Sequence, residues 1–207
     1  MKIGIIGAGN VGRTLGSRWL EAGHSVRYGV RDAGSGKYAD LFGPDVFWGS
    51  GLEAAEFSDV VVFSTPWKAT LEAVAEAGNL DGKVVLDCVN AINPDFSGLE
   101  LKRTDSVAER IATAAPKAKV VKIFNTVGFN IMANPDFDGQ PATMLYCGDD
   151  VDAKATAAQL AVDIGFDPVD AGPLIQARYL EAFAWLWISM AIKEGHGREM
   201  AFRLMKR

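Results

Sequence analysis

The stretch Lys2-Ile3-Gly4-Ile5-Ile6-Gly7-Ala8-Gly9-Asn10-Val11-Gly12 opens the chain and decides its fold. An apolar run this short reads as a strand. The G-x-G-x-x-G that follows it, at the start of a helical pattern over Val11–Ala22, marks the first turn of a βαβ unit built for a dinucleotide. Each glycine has a physical task. Gly7 permits the tight turn, Gly9 lets backbone N–H groups approach a pyrophosphate whose charge a helix N-terminus favours, and Gly12 allows close helix-to-strand packing. Ala8, Asn10 and Val11 complete the loop as cofactor-binding candidates.

Outward from this stretch, short Val- and Ile-rich runs alternate with longer segments of helical period, the pattern of a parallel sheet with crossover helices. Strands are expected at Lys2–Ile6, Ser25–Val30, Asp45–Trp48, Asp59–Ser64, Lys83–Asp87, Ala118–Phe124, Ala142–Tyr146 and Asp167–Asp170. Helices are expected at Val11–Ala22, Gly51–Glu56, Trp67–Ala77, Val107–Ala115, Asp152–Ile164 and Leu174–Lys193. Ser106 with Glu109 three positions later forms a capping box, Pro116 closes that helix, and Gly165 supplies a left-handed residue after Ile164. The fold class is therefore α/β: a Rossmann-type, doubly wound, mostly parallel sheet with a small C-terminal α/β extension. A soft break near Phe124 divides the chain into a dinucleotide-binding domain, residues 1–124, and the extension, residues 125–207, expected to pack on the cleft and to offer a dimer interface.

Composition excludes several classes. The 207 residues are 49% hydrophobic and 23% charged, a profile that repays chain entropy on folding. A net charge of −5, with both signs scattered, builds no basic face for nucleic acid. Cys88 and Cys147 stand apart, with no metal or redox spacing, which fits a reducing cytoplasm and predicts no metal site. The longest apolar run, Ala182–Ile192, is well short of the roughly 20 residues a bilayer requires, so no membrane insertion is expected.

The end of the second strand bears on the choice of cofactor. Arg31, just past the alternation Val26, Tyr28, Val30, sits where a guanidinium grips a ribose 2′-phosphate, which favours NADP(H). Asp32, twenty positions beyond Gly12, suits a 2′-hydroxyl and keeps NAD open; Lys37, in the Gly/Ser-rich loop that follows, reads first as a solvated loop lysine and second as an additional positive charge. Later strand ends rim the same crevice, which adds Ser64, Thr65, Pro66 and Trp67, then Asn90, then Asn125 and Thr126, as candidates for ribose, phosphate and carboxamide contacts. A dedicated acid/base is not evident, and the catalytic residue is unassigned. His24 lies in a turn before the second strand and His196 sits between glycines, while no Ser/His/Asp or paired Cys/His arrangement occurs. That leaves hydride or electron transfer between rings, where positioning does the work. The last long helix carries apolar residues on more than one face, and Trp185 and Trp187 are core or dimer candidates.

The chain resembles the NADP oxidoreductase family that includes the coenzyme F420-dependent, deazaflavin-using enzymes, and more distantly the cytosolic NADPH-binding domain of transmembrane metalloreductases. The resemblance runs nearly end to end. It is carried by Gly7-Ala8-Gly9-Asn10-Val11-Gly12, Gly29-Val30-Arg31, Thr65-Pro66-Trp67, Lys122-Ile123-Phe124-Asn125-Thr126, Cys147-Gly148-Asp149-Asp150 and Asp170-Ala171-Gly172-Pro173-Leu174. It implies a dimeric Rossmann enzyme passing hydride between NADPH and a flavin or deazaflavin, with the glycine loop on the pyrophosphate and Arg31 on the 2′-phosphate. Val30 departs from relatives that place a phosphate-binding serine there, and Phe124-Asn125-Thr126 is more similar to the metalloreductase branch.

The expected function is thus an NADP(H)-dependent oxidoreductase with a small-molecule redox acceptor, coenzyme F420-like or a flavin, acting as a cytoplasmic homodimer. A redox-sensing NADP(H)-binding module without turnover and a ferric or flavin reductase are the alternatives. An imine or β-hydroxyacid reductase ranks lower, because those relatives carry a long helical domain for which the last 80-odd residues leave little room.

Overall fold

A computed structural model of the protein describes residues 1–33, 46–101 and 104–207; Lys37 and Asp45, named above, lie outside the described residues. β1 (Lys2–Ile6) lies inside an eight-stranded sheet with β2 (Ser25–Gly29) and β3 (Phe47–Gly49) on one side. On the other side come β4 (Val60–Phe63), β5 (Val84–Asp87) and β6 (Lys119–Lys122), all parallel to β1. The chain leaves β3 at one edge and returns beside β1 as β4. This reversal of strand order opens a crevice at the carboxyl ends, where ligands bind in such sheets. Each expected strand is present, its ends shifted by two residues at most.

Period-two alternation divides the strands between two cores. Ile3, Ile5, Val60, Val62, Leu86 and Val121 face one side, with Leu15 and Trp19 of α1 (Asn10–Glu21) and Leu160 of α6 (Val151–Val162). Ile6, Val61, Phe63, Val85 and Val120 face the other. They pack there with Val74 of α3 (Trp67–Glu76), Ile111 of α4 (Val107–Ala114) and Leu180 of α7 (Ala177–Ile192), and with Ala55 of α2 (Gly51–Phe57). Full burial of each Val, Ile, Leu or Phe side chain among these contributes about 1.5–3 kcal/mol. Caps fix the helix starts. The Ser106 hydroxyl accepts from the Glu109 N–H at 3.2 Å but donates to the Glu109 carboxylate at 2.7 Å, so that box is half-formed; Ser50 with Glu53 forms a full capping box, and the Asp150 carboxylate accepts from the Ala153 N–H at 2.8 Å. Gly165, φ +97°, ends α6 in the left-handed conformation expected of it.

The C-terminal extension continues the same sheet. β9 (Thr143–Gly148) pairs with β6 antiparallel through Val121–Gly148 and Lys122–Cys147, and β10 (Asp167–Asp170) then runs parallel to β9. The link from β6 to β9 stays at one rim, through the short helix α5 (Phe129–Ala133) and a small hairpin of β7 (Asp136–Phe137) and β8 (Gln140–Pro141). With no crossover, the returning strand must run the other way. The last helix opens with a 3₁₀ turn at Leu174–Gln176 after Pro173, and α7 proper begins at Ala177. Among the described residues no helix is long and apolar enough to cross a membrane.

Candidate functional site

A cleft of about 810 Å³ lies along the carboxyl ends of β1, β2 and β4, within the 300–1,000 Å³ range typical of ligand sites. Its floor is the glycine loop. Gly7 has φ +112°, and a Cβ there would lie 2.7 Å from the Ser64 carbonyl oxygen, so only glycine fits. At Gly12 a Cβ would come within 2.0 Å of the Gly7 carbonyl oxygen, which enforces the close helix-to-strand contact. Gly9 differs: a Cβ would meet nothing within 4 Å, because this residue faces the open cleft. Gly9 also caps α1 without a side-chain hydrogen bond, and the first turn carries no acidic residue. The leading N–H groups of α1 and its positive dipole end are therefore available to an anion.

The predicted residues divide into three groups. Gly7, Ala8, Gly9, Asn10, Val11, Arg31, Ser64, Thr65 and Pro66 all line the cleft. Two hydroxyls there are already committed: Ser64 Oγ donates to the Gly7 carbonyl at 2.8 Å and so pins the glycine loop, and Thr65 Oγ1 lies 2.9 Å from Thr70 Oγ1. Arg31 follows β2 and stretches its Nη2 to 3.9 Å from Glu72 Oε2 of α3. Asp32, in the left-handed region at φ +42°, lines the cleft beside it.

The second group supports the site from beneath. Gly12 lies under the loop. The Asn90 amide donates to the Asn125 carbonyl at 2.8 Å, and the Asn125 amide returns a bond to Asn90 Oδ1 at 3.0 Å while also donating to Leu180 O of α7 at 3.1 Å. These bonds knit the ends of β5, β6 and α7 together. Phe124, immediately before, is fully buried at φ +59°, its ring edge-on to Trp19 with centroids 5.6 Å apart. The third group lies away from the cleft. Trp67, half-buried, packs against the edge of the core under Arg110, whose guanidinium stands 5.2 Å from its ring, and Thr126 lines a separate apolar cavity of about 300 Å³ with Phe183, Phe202 and Leu204. His24 holds Asp163 at 2.9 Å and the N-terminal amine at 3.1 Å, an ordering role, while His196 is exposed.

Sequence reading missed two features. Phe129 and Arg198 close the cleft from the C-terminal extension, the guanidinium 4.7 Å from the ring, and Asn130 ties that segment down by donating to the Arg198 carbonyl at 2.8 Å. The second is a buried charge cluster. Lys122 Nζ lies 2.8 Å from Asp87 Oδ2 and 2.9 Å from Glu181 Oε1, with all three side chains out of solvent, and it also donates to the Val89 carbonyl. Burial would lower the Lys122 pKa, but the two carboxylates more than reverse this and hold it up; burial pushes both Asp87 and Glu181 up despite Lys122. A signal was present: Asp87 and Lys122 each terminate an apolar strand with further apolar residues beyond, a poor place for a solvated charge. Cys88 and Cys147 are both buried and free, and burial pushes both thiols up, Cys147 to about 12.

Glycine loop, uncapped helix and crevice at the strand reversal define a dinucleotide-binding protein of the Rossmann type. Residues 2–91 match the family model described as NADP oxidoreductase, coenzyme F420-dependent. A solved structure of a candidate F420-dependent NADP-reductase from Arthrobacter sp. FB24 superimposes with TM-score 0.90 at 31% identity, covering 100% of both chains. Among curated proteins, the metalloreductase STEAP3 of Rattus norvegicus is 33% identical over 183 residues, 87% of this chain and 36% of its own length. The chain thus spans about a third of the length of the curated relatives it matches. An imine reductase from Aspergillus terreus, at 20% identity and TM-score 0.70 over 94% of this chain and 63% of its own, shares the fold. The chain belongs to the NADP oxidoreductase, coenzyme F420-dependent family, a family of NADP-dependent oxidoreductases.

Proposed function

We propose that this chain binds NADP(H) in the cleft and passes hydride between the nicotinamide and a flavin or deazaflavin acceptor resembling coenzyme F420. The observation that carries this reading is the uncapped N-terminus of α1 behind a glycine loop that faces the 810 Å³ cleft, with Arg31 at its mouth. Bound NADPH would supply the hydride. The chain's own part is positional: the loop N–H groups hold the pyrophosphate, Arg31 grips the 2′-phosphate, and Ser64 fixes the loop through Gly7. Residues 1–124 act as the cofactor-binding part, and residues 125–207 contribute Phe129 and Arg198, an aromatic face and a cation suited to a planar ring with an anionic tail. The two buried free thiols fit a cytoplasmic protein. A second reading, flavin-mediated reduction of ferric chelates, is favoured by the likeness to the metalloreductase.

The test is to add coenzyme F420, FMN, FAD or ferric chelate with FAD to the NADPH-saturated protein and follow absorbance at 340 nm. Decay with F420 or a flavin is the expected result, and decay only with ferric chelate selects the second reading. Tight NADPH binding with a flat trace against every acceptor replaces both with a redox-sensing module. Arg31→Ala should weaken NADPH by about ten- to hundredfold, the loss of charge-assisted bonds, with NADH little changed. Equal losses for both cofactors in a calorimetric titration would remove Arg31 from the 2′-phosphate.

A further inference from the structure

We propose that Glu72 tunes the cofactor preference of this cleft by competing with a 2′-phosphate for Arg31. The inference rests on the cofactor reading given above and names the residue that limits it. One face of α3, formed by Ala69, Glu72, Ala73 and Glu76, makes a wall of the cleft. The alanines keep that wall low. Glu72 instead crosses the mouth to meet Arg31, Oε2 to Nη2 at 3.9 Å, linking the segment after β2 to α3.

Both side chains are largely in solvent, 72% and 67% exposed, so water screens the pair and it opens at little cost. The charges around it are unbalanced. Among the described residues at this end of the cleft, one cation, Arg31, stands with three carboxylates, Asp32, Glu72 and Glu76; the other cation lining the cleft, Arg198, comes from the C-terminal extension beside Phe129. A ribose 2′-hydroxyl finds acceptors in such a setting. A 2′-phosphate gains the guanidinium, but it must first take Arg31 from Glu72 and then remain beside that carboxylate. Glu72 therefore holds the advantage of NADPH over NADH below what Arg31 alone would give, and acts as a specificity-determining residue.

Calorimetric titration of the full chain with NADPH and NADH, for the native protein, Glu72→Gln, Arg31→Gln and the double variant, tests this. Glu72→Gln should tighten NADPH by about three- to fivefold and move NADH by less than about twofold. The gain should shrink as salt is raised and in the Arg31→Gln background, the signature of two anions contending for one guanidinium. Unchanged or weaker NADPH binding by Glu72→Gln would overturn the proposal, because the carboxylate would then be idle or would be positioning Arg31. A gain of equal size without Arg31 would overturn the competition. If the native protein binds no NADPH, or Arg31→Gln weakens both cofactors alike, the cofactor reading and this inference fall together. If Arg31→Gln is selective for NADPH while Glu72→Gln gives no gain, only the role of Glu72 falls.

Discussion

Gly9 and Gly12 stand three positions apart and answer to different constraints. Gly12 has the Gly7 carbonyl oxygen where its Cβ would be, at 2.0 Å, so Gly12→Ala must push α1 off β1. It should cost about 1–3 kcal/mol, as overpacking does, measured by urea unfolding. Gly9→Ala meets nothing and should leave the unfolding midpoint in place, while the new methyl intrudes on the cleft and weakens NADPH by about tenfold or more. A Gly9→Ala protein that unfolds early yet binds normally would contradict the assignment of this loop. At this scale the glycine loop was legible because a backbone demand dictates the residue type. The Lys122 cluster was not: the apolar runs around Asp87 and Lys122 mark each charge as misplaced, but with Glu181 they come from three distant segments and nothing in the sequence pairs them.

Lys122 joins three elements: its own strand β6, β5 through Asp87, and α7 through Glu181, which also accepts the Val107 N–H at the start of α4. Lys122→Met leaves two buried carboxylates without their cation, a loss of about 3–5 kcal/mol. The pH dependence follows in sign. Burial already raises both carboxylate pKa values in the folded state, and losing Lys122 raises them further. Their contribution is then fully present below their unfolded pKa and is lost as pH rises through the folded value. The variant should accordingly lie closer to the native protein near about pH 5 than near about pH 8 in denaturant titrations. Among elements, the strands were legible from their apolar runs and the helices from their period. The direction of β9 was not, because alternation of side chains has no polarity. The helix α5 was hidden in Asn125–Gln140, whose Asn, Asp and Gly content reads as loop.

For the molecule as a whole, α7 is buried on one side and leaves Tyr179 and Leu186 64% and 51% exposed on another, with Ile175 of the preceding turn continuing the stripe. An apolar stripe of this kind suits a two-fold partner, and the expected state is a homodimer through α7. Sedimentation at micromolar concentration should give a dimer, which Leu186→Glu weakens by about tenfold or more. A native chain sedimenting as a monomer would refute it. The expectation of a mostly parallel sheet with an appended α/β tail matches the eight strands seen; that the tail joins as a reversed pair could only be learned from the chain's path.

That reversed pair carries a practical consequence. Because β9 runs against β6, the corner between β9 and α6 lies on the rim opposite the cofactor cleft, and Val151 there is 75% exposed. With Cys88 and Cys147 buried and their thiols hard to ionise, the native chain should be silent to maleimides. A single Val151→Cys replacement would then carry one dye, or one tether to a surface, at a known place turned away from the chemistry.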